Sequence, residues 1–546
     1  MKGHLNTVGR GRRWFAGFLM VLALAFESRA QSVYLTTSNE IYPFLKRMEA
    51  RGLLEGYRDA AKPFSRIELA HKLQALDSVK ARMTSVERET YEFFKEEFKY
   101  ELLKVGGDPE PSEIRWHVLS KELDRGIMNI DVNYLLGQTV RDGVKTNKRS
   151  QGVKLYGYAF DDVGFYFNIV DNRETGKAIN FAKINTPEPG IIPSKTAADV
   201  LEYDDMDAQF TWNIGRFEFS VEKMKNSWGL ARHGNIIFSD KAPSYPQLKL
   251  RVPLADWVDF IYIHADLNSK VLDSTRSYFT YSSAISKFFR PVDRLKYMAA
   301  HQLEFTVAKG VDLSIGESVV YSDRGPLLIY LIPVMFFKAG EHYNRDTDNS
   351  QMFGNLDLNV IPNVNLYFSL FVDEITTDDI LDPSKARNQV AYTLGFQTYD
   401  LLVDNLEFLA EYSRMNPWVY SHKYTAANFT NNGYDLVHWV GQNGDDLFLD
   451  LSFTPTRPLK VGTFLEAYRK GGRKDVAYQY MLHSQDFLYG PTHEEHSFGL
   501  YGHYQFVRDG FLDVRARRLT VNDEAFPDLN LNKKWEFSVS ASVGVW

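Results

Sequence analysis

Phe210-Thr211-Trp212-Asn213-Ile214-Gly215-Arg216-Phe217-Glu218-Phe219-Ser220-Val221 is the stretch that decides the fold. Phe210, Trp212 and Ile214 alternate with Thr211 and Asn213, and after Gly215 the apolar Phe217, Phe219 and Val221 alternate with Arg216, Glu218 and Ser220. A period of two sends successive side chains to opposite faces of a strand, and a glycine between two such runs supplies a tight turn. The pattern repeats in Leu248, Leu250 and Val252 against Lys249 and Arg251, in Leu406, Phe408, Ala410 and Tyr412 against Glu407 and Glu411, and in Leu512, Val514 and Ala516 against Asp513, Arg515 and Arg517. About 18 to 20 such segments lie between Ile114 and the C-terminus, many of about nine to twelve residues. That exceeds the roughly 5–6 typical of soluble strands and matches the roughly 9–11 that cross a bilayer at a tilt.

Composition narrows the choice. Of 546 residues 24% are charged and 14% aromatic, and mean hydropathy is −0.33, which excludes a bundle of membrane helices. The net charge of −7 gives no reason to expect a nucleic-acid partner. With no cysteine there is no disulfide framework, thiolate metal site, cysteine nucleophile or cysteine-borne lipid anchor. Residues 1–30 read as a cleavable export signal: Lys2, Arg10, Arg12 and Arg13 precede an apolar stretch from Trp14 to Phe26, and Ser28-Arg29-Ala30 offers small residues for cleavage. The longest apolar run after it, Leu327 to Phe337, is broken by Pro333 and too short to span as a helix. Only helices and closed barrels satisfy every backbone polar group in hydrocarbon. The expectation is an all-β, transmembrane antiparallel β-barrel of about 18 strands in the outer membrane, over residues 111–546. Its polar faces mix charge signs, which favours a lumen crossed by ion pairs over an ion-selective pore.

A small α-helical N-terminal domain, residues 31–110, precedes the barrel, in the periplasm or as a plug. Thr37 with Glu40, Ser65 with Glu68 and Thr84 with Glu87 have capping-box spacing, and each is followed by an apolar stripe of helical period: Ile41, Phe44, Leu45 and Met48; Leu69, Leu73 and Leu76; Tyr91, Phe94, Phe98 and Leu102. Gly106, Gly107, Pro109 and Pro111 mark the boundary.

Asn226-Ser227-Trp228-Gly229-Leu230, His233-Gly234-Asn235-Ile236-Ile237-Phe238-Ser239-Asp240-Lys241-Ala242-Pro243 and Gln247-Leu248-Lys249-Leu250, followed by His301-Gln302-Leu303-Glu304-Phe305 and Gly316-Glu317-Ser318-Val319-Val320-Tyr321, resemble in order and spacing the capsule assembly Wzi family of outer-membrane proteins, in its Bacteroidetes-type form. The resemblance covers most of residues 38–375. It departs at Leu230-Ala231-Arg232, where family members often carry glycine. It implies a surface lectin, not an enzyme, that attaches or helps assemble capsular polysaccharide or exopolysaccharide. Outer-membrane lipid and the barrel assembly machinery would be its other partners, and no cofactor or metal is expected. Rings with a polar handle suit sugars, which makes Trp228, His233, Asp240, Glu317, Tyr321 and Arg324 the candidate polysaccharide-binding residues.

Enzyme signals are weak. Asp204-Asp205, Asp378-Asp379 and Asp445-Asp446 are adjacent pairs and read as loop charges. His493-Glu494-Glu495-His496 lacks the i,i+4 spacing of a zinc-protease helix and reads as loop. A second reading comes from Pro43-Phe44-Leu45, Gly52 to Asp59 and Ser65 to Ala70, which resemble one S-layer homology repeat. It would make the chain a porin tethered to peptidoglycan.

Overall fold

The computed structural model describes residues 32–107, 117–160, 163–281, 286–374, 388–472 and 485–544; the expected export segment, Pro109, Pro111 and Asp378-Asp379 lie outside them. Eighteen antiparallel strands close into a barrel. The first, Gly126–Arg141, pairs with the last, Leu531–Val543, from Arg141 opposite Glu536 to Tyr134 opposite Val543. The opening stretch forms the hairpin of Val200–Ile214 and Phe217–Met224, turning at Gly215 with φ +61°, a conformation glycine adopts without steric cost. Gln209, Thr211 and Asn213 are buried toward the lumen while Phe210 and Ile214 are exposed on the outer face, so hydrocarbon outside and polar packing inside together write the period of two.

Two-residue turns such as Gly215-Arg216, Asp256-Trp257, Lys309-Gly310 and Pro362-Asn363 join strands at one end, and long connections such as 225–244, 273–292, 323–348 and 416–443 at the other. In outer-membrane barrels the short turns face the periplasm and the long loops face outward.

The N-terminal helices are α1 (Ile41–Ala50), α2 (Arg66–Leu76), α3 (Ser85–Glu97) and α4 (Lys99–Lys104). Ile41, Leu45, Met48, Leu69, Leu73, Tyr91, Phe94 and Phe98 form their common core. The Thr84–Glu87 capping box is complete, and Ser65 accepts from the Glu68 N–H. The Thr37–Glu40 box does not form: Glu40 itself is the N-cap, and Asn39 accepts from the Ile41 N–H at 2.9 Å instead. The third apolar stripe breaks at Phe98, so Leu102 belongs to α4 and not to α3.

These helices plug the short-turn mouth. Arg58 meets Asp259 at 2.8 Å, Arg251 meets Glu68 at 3.0 Å, Tyr158 donates to Glu101 at 2.6 Å, and the Asn363 N–H donates to the Ala50 carbonyl at 2.9 Å. From the outer side, loops 225–244 and 416–443 fold inward. Trp228, Ile236, Ile237, Phe238, Phe429 and Leu436 pack there against the small lumenal residues Ala265, Ala300 and Ala391.

Some expected loops are strand. His493-Glu494-Glu495-His496 opens His493–Val507, Asp204-Asp205 lies in Val200–Ile214, and Asp445-Asp446 begins Gly444–Thr456. Strands of up to 16 residues overrun the bilayer. Above it both faces can be polar, which erases the alternation by which a strand is read.

Candidate functional site

The six candidate residues do not converge; the structure divides them among three places. Trp228 is 1% exposed and belongs to the lumenal core, edge-on to Phe238 at 5.0 Å. Its backbone, with Ser227, pairs with Ala61 and Lys62 of the plug, so this loop clasps the N-terminal segment. Asp240 is exposed on the same loop.

His233 sits deeper. The N–H groups of Arg232 and His233 donate to Glu411 at 2.7 and 3.0 Å, and the imidazole stacks on Phe448 at 3.8 Å with planes 2° apart. Its Nε2 lies 2.7 Å from Glu466 and 3.7 Å from Asp446. Burial alone would lower its basicity, but the hydrogen bond to Glu466 and the charges of Asp446 and Glu466 raise its pKa to about 9. The ring is therefore an imidazolium held between carboxylates. Behind it His438, fully buried and 3.5 Å from Asp446, is pushed down to about 3 by burial and by His233. His233, Asp446 and Glu466 present ligand atoms within 4.8 Å of one another, as do Glu49, Asp59 and Asp357. In the first trio the protonated imidazole is itself the cation between the two carboxylates, and in the second the Lys46 ammonium already bridges all three.

Glu317, Tyr321 and Arg324 form a third group. Glu317 accepts from the Phe337 N–H at 2.8 Å and lies 3.2 Å from His301; the Tyr321 hydroxyl accepts from the Leu327 N–H at 3.2 Å; Arg324 pairs with Asp348. All three hold the loop 323–348 in place.

Two features escaped the sequence reading. Tyr278–Tyr281 and Lys287–Arg290 pair as a hairpin on the long-loop side, every Phe and Tyr of it exposed, with Tyr281 at 68% and Phe279 at 61%. Opposed residues share a face: Phe279, Phe289, Tyr281 and Lys287 stand together, the ammonium 4.6 Å from the Phe279 centroid. A signal was present, because between Asp273 and Asp293 the sequence carries Arg276, Lys287 and Arg290 and no carboxylate. The other feature is a lumenal groove of about 400 Å³ lined by Lys148, Arg515, Tyr501, Ser538 and Ser540, among others. Its carboxylates are committed, Glu174 and Glu188 to Lys183 at 2.7 Å each and Asp513 to His503 at 2.6 Å. Lys148 and Arg515 form no ion pair with any described residue, and because Glu174 and Glu188 share Lys183 the cations of the lining outnumber its carboxylates by about one. Scattered over strands far apart in sequence, these residues leave no local motif.

A closed barrel stopped by its own N-terminal helices and by inward loops, with rings and cations turned outward, defines a plugged outer-membrane β-barrel. The capsule assembly protein Wzi family matches residues 195–516, more than half of the chain, and the chain belongs to that family. The match starts later and runs further than residues 38–375, the span of the resemblance in the sequence. Among solved structures, the Escherichia coli Wzi described as an outer-membrane protein involved in group 1 capsule assembly and a carbohydrate-binding β-barrel aligns over 94% of this chain and 99% of its own, with TM-score 0.57 and 10% identity. OccAB1 of Acinetobacter baumannii aligns over 76% of this chain and 96% of its own, with TM-score 0.43 and 11% identity. No curated protein sequence matches.

Proposed function

We propose that this barrel is a surface lectin that holds an acidic capsular or exopolysaccharide at the outer face of the cell without a catalytic step. The exposed hairpin carries this reading. Three rings and an ammonium on one face offer stacking for the apolar faces of sugars and a counter-charge for their carboxylates. Lys148 and Arg515 in the groove add to the same preference for anions, and the carbohydrate binding described for the E. coli relative supports the ligand class.

Deleting the gene should release polysaccharide from cells into the medium, and the wild-type gene should restore retention. The combined change Phe279→Ser, Tyr281→Ser and Phe289→Ser should fail to restore it: rings worth about 0.5–1.5 kcal/mol each together lower affinity by about tenfold or more. Normal heat-modifiable gel mobility would show that the barrel still forms. Polymer that stays cell-bound in the deletion strain would sink the reading.

The tethered-porin alternative loses ground because Phe44, Leu45, Leu53, Leu54, Tyr57 and Asp59, all within the S-layer-like segment, are buried. Large, stable ohmic steps from the purified protein in planar bilayers would restore it.

A further inference from the structure

The longest apolar run after residue 30, Leu327 to Phe337, belongs to loop 323–348. Unlike 225–244 and 416–443, this loop does not enter the lumen. In the Val311–Ser322 strand the even positions point inward: Ser314 accepts from Asn355 at 2.7 Å, and Val320 lies in the core around Trp228. Glu317, Val319 and Tyr321 therefore point outward, beside Tyr297, Ala299 and His301 of Asp293–Ala308, whose own ladder neighbours are Asp266, His264 and Tyr262. Tyr330 and Phe337 pack on this outer patch, and the Tyr262 hydroxyl donates to the Tyr330 carbonyl at 2.8 Å. The loop is folded down over the outside of the barrel, and Glu317 marks how far it reaches, midway along a 12-residue strand.

Its far side is bare. Leu328 is 80% exposed and Val334 78%, with Ile332 and Phe336 also exposed, while the wall around the loop shows the exposed outer residues Leu313, Ile315 and Met352. We propose that residues 323–348 form a strap against the outer wall, with outer-leaflet acyl chains as the partner of Leu328, Ile332, Val334 and Phe336.

Three observations carry this. The bare surface is continuous with the exposed apolar residues Leu313, Ile315 and Met352 of the outer wall. Glu317 and His301, a carboxylate and an imidazole on the lipid side of a barrel, need sealing there. The strap does this with the Phe337 N–H, while the Phe337 ring packs 4.5 Å from the imidazole. Part of its backbone is paired within the strap: the N–H groups of Tyr330 and Leu331 donate to the Leu327 carbonyl at 3.0 and 3.2 Å, that of Met335 to Ile332 at 3.1 Å, and Pro326 and Pro333 have none to satisfy. The polar end, with Tyr343, His342 and Asp346 exposed, remains outside the hydrocarbon.

The absence of cysteine makes the test direct. Leu328→Cys, Val334→Cys and Tyr343→Cys in the full chain, each labelled with a polarity-sensitive fluorophore and refolded into phosphatidylcholine vesicles, report one position apiece. Labels at 328 and 334 should emit to the blue and lose most of their emission in vesicles with brominated acyl chains, and the label at 343 should respond to aqueous iodide instead. Quenching of 328 and 334 by iodide and not by brominated lipid would overturn the proposal, as would shielding from both quenchers, which would place a second copy of the chain on the strap.

Discussion

Lys46→Met should release the plug, lowering barrel stability by about 3–5 kcal/mol, the usual cost of removing one partner from a buried ion pair, and exposing residues 32–107 to protease. Lys46 is 1% exposed and binds Glu49 at 2.9 Å, Asp59 at 3.4 Å and Asp357 on the barrel wall. Burial pulls its basicity down, but the three carboxylates pull harder and hold it well above the usual lysine range. The ammonium is thus the common counter-ion of the plug and the wall. Without it Asp59 keeps Lys62 at 2.9 Å and Arg232 at 3.3 Å, but Glu49 and Asp357 lose their shared cation. Glu49 is already pushed up to about 7 by burial and by its acidic neighbours. A double variant, K46M with Asp357→Asn, should lose less than the two single losses added together, since the second change removes a charge the first has stranded. Wild-type resistance to protease together with an unchanged denaturation midpoint in K46M would show that this contact does not hold the plug.

The barrel was legible because water or polar packing on one face and hydrocarbon on the other impose an alternation that survives in Phe210 to Val221 and in Leu512 to Arg517. It was illegible where both faces are covered. In Gly316 to Tyr321 the lumenal core takes Val320 and the strap takes Val319 and Tyr321, so the apolar residues run together and the inward direction cannot be read. Glu317 and Tyr321 consequently looked like binding residues on the strength of their motif, when their side chains seat a loop on the outer wall. Helix existence follows from period and caps, but capping-box spacing points to Thr37 while the helix opens at Glu40, with Asn39 accepting from the Ile41 N–H. Whether the helices lay in the periplasm or in the lumen turned on partners such as Lys46 with Asp357, separated by hundreds of residues, and no local pattern encodes such a pair.

Raising the pH should loosen the inner latch between loop 225–244 and the wall, and the sign follows from His233. Its pKa of about 9 in the folded chain lies above the ordinary 6.5, so folding favours the protonated ring. The stabilisation is complete below about 6.5 and drains away as the pH rises through 9. At about 1.4 kcal/mol per unit, the shift is worth about 3 kcal/mol. His438 acts in the opposite sense: held down near 3, it must stay neutral, and stability falls as the pH drops below 6.5. Denaturation midpoints should therefore peak near pH 6.5 and decline on both sides. His233→Gln should abolish the alkaline decline and cost about 3–5 kcal/mol at neutral pH, because Asp446 and Glu466 are then buried without the cation they share. Removing the ring should also free the loop that clasps Ala61 through Trp228, so protease sensitivity of the plug should rise with pH in the wild type and be high throughout in the variant. An alkaline decline that persists unchanged in His233→Gln would assign it to another group and remove the imidazolium from the latch.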